Sequence, residues 1–90
     1  MDRVLLASGS DKGIELLSQL LKISGYGQII GTKSGNDARR CINQNEYELI
    51  VINTPLSDEF GHELSIKAAE SSNSGIILIC KSDISDEVSD

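Results

Sequence analysis

Ninety residues make one domain at most, and a chain this short buries only a modest core. The formal charge of −6 repels a phosphate backbone, and Lys33, Arg39 and Arg40 are too few to build a basic stripe, so these residues are not expected to bind nucleic acid directly. No basic leader precedes an apolar core, no apolar run approaches the ~20 residues of a membrane span, and Cys41 and Cys80 lack the close spacing of a zinc or dithiol motif; the expectation is a cytoplasmic protein with reduced thiols.

The chain opens with "VLLA" (Val4 to Ala7), a continuous apolar run closed by "SGS", as suits a strand buried on both faces. Ile14, Leu17, Leu20, Leu21 and Ser24 then fall at helical spacing, and Gly25 ends the pattern as a C-terminal cap does. "QIIGT" (Gln28 to Thr32) reads as a weaker strand interrupted by Gly31. "SGNDARRCINQNE" follows as a short helix with Ala38, Cys41 and Ile42 turned inward. "ELIVI" (Glu48 to Ile52) is the strongest strand signal. A helix is expected from about Glu59 to Ser71, burying Leu64 and Ala68, and then a fourth strand, "GIILIC" (Gly75 to Cys80). "SDISDEVSD" reads as the opening turns of one more helix. Strands alternating with helices of this length imply a doubly wound α/β fold of three layers: a parallel sheet with right-handed crossovers and helices on both faces. In such sheets chemistry gathers outside the carboxyl ends of the strands. Three loops meet there: Ser8 to Gly13, Asn53 to Gly61, and Cys80 to Asp83.

The spacing of Asn53 to Gly61, the helices "GHELSIKAAE" and "KSGNDARRCI", and the strand "GIILICK" together resemble the receiver domain of bacterial two-component response regulators across all 90 residues. The resemblance implies strand order 2-1-3-4 and a domain over residues 1–90 that is C-terminally incomplete, its fifth strand and helix absent. It sets Asn53 at the phosphoaccepting aspartate, Ser8 and Gly9 at the metal-holding acidic pair, Cys80 at the switch hydroxyl and Lys81 at the small residue after it. None of these keeps the family's chemistry. Magnesium prefers charged oxygen ligands, which Ser8 and Gly9 lack, and an amide cannot form an acyl phosphate. The implied protein is therefore a pseudo-receiver without metal or cofactor and without enzymatic activity. It would act through a protein partner or self-association, with RNA or DNA reached only through an absent output domain that regulates transcription; "INTPLSDEFG" is similar to the third-strand loop of ANTAR-type antitermination regulators.

Other readings stand beside these. Asn53 also suits a plain turn amide. Asp11 is a weak substitute metal ligand; Ser8-x-x-Asp11 fits a helix-capping pattern better. Asp58 and Glu59 are expected in solvent, His62 on the surface, and Cys41 and Cys80 in the core. The alternative function is a small anion- or nucleotide-binding module of flavodoxin-like topology, in which "SGSDKG" cradles the anion and Lys12 or Lys81 adds charge. Finally, "IILIC" would be an open apolar edge, which a partner strand from another copy or from further chain is expected to cover.

Overall fold

The computed structural model describes residues 3–71 and 73–80. Lys81 and the helix expected after the fourth strand lie outside the described residues. The elements run β1 (Arg3–Ser8), α1 (Asp11–Ile23), β2 (Gln28–Thr32), α2 (Gly35–Gln44), β3 (Leu49–Asn53), α3 (His62–Ser71) and β4 (Gly75–Ile79). Among the described residues all strand pairs are parallel, and the order is β2-β1-β3-β4, as the family resemblance implies.

Alternation along the strands sorts the core into two layers. Leu5, Ala7, Ile50 and Ile52 point to the face that carries α2 and α3, where Ala38, Ile42, Tyr47, Leu56, Leu64 and Ala68 complete a buried cluster. Val4, Leu6 and Val51 point the other way, against Ile14, Leu17 and Leu21 of α1. Leu5, Leu6, Ile50, Ile52 and Leu64 are fully buried, each contributing roughly 1.5–3 kcal/mol of transfer free energy. Burial on both faces is why β1 and β3 read as unbroken apolar runs.

Helix ends follow local chemistry. Ser10 caps α1 by accepting from the Gly13 amide, so the cap is Ser10 and not Ser8. Gly25 (φ 104°) closes the same helix in a Schellman arrangement, with the Tyr26 amide on the Leu21 carbonyl and the Gly25 amide on the Lys22 carbonyl. Helix α3 begins at His62, three residues later than the sequence suggests. Gly61 (φ 118°) holds a left-handed turn that a helix cannot pass through, and leaves Glu59 and Phe60 in the loop. Leu20 also departs from expectation. It is 59% exposed, because Ile14, Leu17 and Leu21 form the inward stripe while Leu16, Leu20 and Ile23 form a second, uncovered one.

Candidate functional site

Ser8 and Asn53 are the last residues of β1 and β3, and the parallel register makes them direct neighbours. The Asn53 Nδ2 donates to the Ser8 Oγ over 3.1 Å. Ser8 is only 1% exposed, so this bond satisfies a hydroxyl that water scarcely reaches. Gly13, in the first turn of α1, closes in beneath the pair: a Cβ there would stand 2.6 Å from Ser8 Oγ and 3.0 Å from Asn53 Nδ2.

The loop after β3 leaves the strand under tight control. Thr54 donates to the Ile79 carbonyl through both its amide, at 2.8 Å, and its hydroxyl, at 2.9 Å, and the Thr54–Pro55 bond is cis. The Gly9 amide donates to the Pro55 carbonyl at 3.2 Å, and a Cβ on Gly9 would meet that oxygen at 2.5 Å, so only glycine lets the two loops approach. Between them opens a cleft of about 260 Å³ lined by Ser8, Gly9, Ser10, Asn53, Thr54, Pro55 and Leu56. Among the described residues that line it, none is a carboxylate and none is a cation. Its polar groups are hydroxyls, amides and backbone, which can hydrogen-bond a small polar molecule.

Other candidate residues stand apart from this cleft. Lys12 is exposed on α1 and does not line it. Cys80 follows Ile79, the β4 neighbour of Asn53, and carries an exposed free thiol, contrary to the expected core position, because the strand ends one residue before it. Cys41 is half-buried against the α2 side of the core. Asp11 sits in the first turn of α1 and pairs with Lys33 at 3.1 Å across two exposed side chains, a use that suits a helix N-terminus. Among the described residues no three His, Cys, Asp or Glu side chains come together as a metal site, and no helix is long and apolar enough to cross a membrane.

Two acids expected in solvent also hold the loop to α2: Asp58 is exposed as expected, whereas Glu59 is half-buried. The exposed Asp58 carboxylate accepts from the amides of Gly35, at 2.7 Å, and Asn36, at 3.3 Å, at the start of α2. These backbone bonds, above all the one from Gly35, hold its carboxyl below the ordinary aspartate range. With Ser34 accepting from Asp37 at 3.1 Å, three successive free amides of α2 are satisfied by side chains. Glu59 forms a two-pronged ion pair with Arg39, half-buried on both sides, and that bond raises the guanidinium pKa. The Ser57 amide adds a bond to the Lys33 carbonyl at 2.9 Å. No local motif announces these contacts, since each partner lies some twenty residues away in sequence.

No protein-family model and no curated protein matches this sequence. Solved structures do resemble it. The MaeR response regulator bound to beryllium trifluoride superposes with a TM-score of 0.77 at 17% identity, covering 98% of this chain and 76% of that one. A CheY-like response regulator receiver domain from Methylobacillus flagellatus gives 0.78 at 20% identity, over 89% and 70% of the two chains. An adenylate cyclase from Rhodopirellula baltica gives 0.75 at 21% identity, over 98% and 66%. With four parallel strands among the described residues, in the order 2-1-3-4, and helices on both faces, the chain has the fold of a response-regulator receiver domain.

Proposed function

We propose that the chain is a pseudo-receiver, a regulatory module of signal transduction that works through protein contacts and not through an aspartyl phosphate. One observation carries the reading: where the sheet gathers its loops, Asn53 donates an amide proton to Ser8, and among the described residues the cleft beside them is lined by no carboxylate. Phosphoryl transfer to this fold needs a carboxylate nucleophile, and a divalent metal needs charged oxygen ligands. Asn53, Ser8 and Gly9 offer neither. On this reading Asn53 stands where a phosphoacceptor would, Ser8 and Gly9 where its acidic pair would, and Cys80 where its switch hydroxyl would. The module is then no enzyme, and its control comes from something that distinguishes two states: a ligand, a partner or a second copy. Leu16, Leu20, Ile23 and Ile77 are exposed apolar groups available for such a contact. With the reading go a bacterial, cytoplasmic setting and an effect on transcription through a separate output domain.

Incubation with acetyl phosphate and magnesium tests it, followed by intact mass and ³¹P NMR. The expected result is an unchanged mass and no protein-bound phosphorus signal. A phosphoryl adduct on the wild-type chain would overturn the reading.

A further inference from the structure

The loop that forms one wall of the cleft does not end there; it runs on to α2 and is fastened to it. Thr54 anchors its start to β4 through two bonds on one carbonyl, and Pro55 touches the opposite wall at Gly9. Beyond that point the loop's contacts turn to one neighbour. Ser57 bonds to Lys33 ahead of α2, Asp58 takes the amides of Gly35 and Asn36, and Glu59 grips Arg39 one turn further on. Leu56 braces the segment by donating to the Glu59 carbonyl at 2.8 Å. Gly35 is buried and leaves the room that Glu59 fills: a Cβ there would overlap the Glu59 carboxylate, itself locked by Arg39.

The geometry points to Asp58, Glu59 and Arg39 as positioning residues that make α2 the output element of the cleft. This inference rests on the regulatory reading above and deepens it by naming the route. A change at Ser8 or Asn53, or a group entering between Gly9 and Pro55, displaces the Pro55–Leu56 wall. Thr54 stays pinned to β4, so the displacement passes along Ser57 to Glu59 and arrives as an altered cap and ion pair on α2. The exposed face of α2, with Asn36, Asp37 and Arg40, is then the surface whose shape reports the state of the site. Coupling of this kind is a statement about energy shared between two places, so a double-mutant design measures it directly.

Asn53→Asp supplies the disturbance, since a carboxylate cannot donate to Ser8. Amide chemical shifts of residues 35–40 are read by ¹⁵N NMR in the wild-type background and in Asp58→Ala. Asn53→Asp is expected to shift the α2 amides about threefold or more further with the latch intact than with it cut. Equal shifts in both backgrounds, or unmoved α2 amides in the first, would overturn the inference. Should Asp58→Ala fail to fold, Glu59→Gln cuts only the ion pair and serves the same comparison. The outcome is separate from the phosphorylation test, because a phosphoryl adduct on the wild-type chain refutes the regulatory reading whatever the α2 amides do.

Discussion

At the Ser8–Asn53 pair the packing leaves no room for an added methyl on the helix below. A Cβ on Gly13 would sit 2.6 Å from Ser8 Oγ and 2.9 Å from Ser10 Oγ, the atom that caps α1, as well as against Asn53. Ala is intrinsically the better helix former by about 1 kcal/mol, so on an open helix Gly13→Ala would stabilise. Here the overlap falls on side chains held by the very bonds that define the site. The crowding, typically about 1–3 kcal/mol, outweighs that gain. Chemical denaturation of Gly13→Ala is therefore expected to give a lower unfolding free energy than wild type, with the Asn53 side-chain NH₂ resonances displaced; a more stable variant would contradict this packing. The position of Asn53 was legible in sequence because "ELIVI" ends just before it, and chemistry in parallel sheets gathers at strand ends. Its partner is legible only through the family resemblance, which sets Ser8 in the same site; no spacing along the chain encodes the neighbour that the register supplies. Asp58 was illegible for the same reason, since an acid in a polar loop looks solvated until the fold brings a helix terminus to it.

The elements differ in how much of them local pattern determines. In α2, Ser34 and the apolar spacing of Ala38 and Ile42 mark both the start and the buried face, and the structure agrees at both. In α3, the helical pattern extends back over Glu59 and Phe60, and the left-handed turn at Gly61 overrides it. Helix α3 is held chiefly by two buried residues, Leu64 and Ala68, with Leu64 fully enclosed in the cluster that the sheet forms with α2. Ile66, two positions on, is 58% exposed. The pair supplies an internal control. Leu64→Ala is expected to cost about 2–5 kcal/mol as the cavity and lost transfer energy add, whereas Ile66→Ala should change stability by no more than ~0.5 kcal/mol, as exposed sites do. Comparable losses at both positions in denaturant titrations would mean that α3 is rotated from the orientation described.

Over the molecule as a whole, the two faces of the sheet are unequally clothed. One carries α2 and α3; on the other, among the described residues, α1 alone packs. Ile14 of α1 stands against β2 at Gly31. At about 100° per residue, the exposed stripe of Leu16, Leu20 and Ile23 lies on the other flank of α1, on the side of β3 and β4. There Ile77, paired with Val51, is 46% exposed on the same face of the sheet. Helix flank and strand thus form the wall and floor of an apolar step, beside a β4 edge with no neighbouring strand among the described residues. An open apolar edge of this kind is a template for pairing, and the net charge of −6 is the main force against it. Salt screens that repulsion while leaving apolar burial intact. Light scattering of the 90-residue chain is therefore expected to show association that rises with protein concentration and with added salt, and Ile77→Lys, which sets a charge on the floor of the step, should suppress it. A wild-type chain that stays monomeric at high concentration and high salt would remove self-association as a means of control, and leave a different protein as the partner of this face.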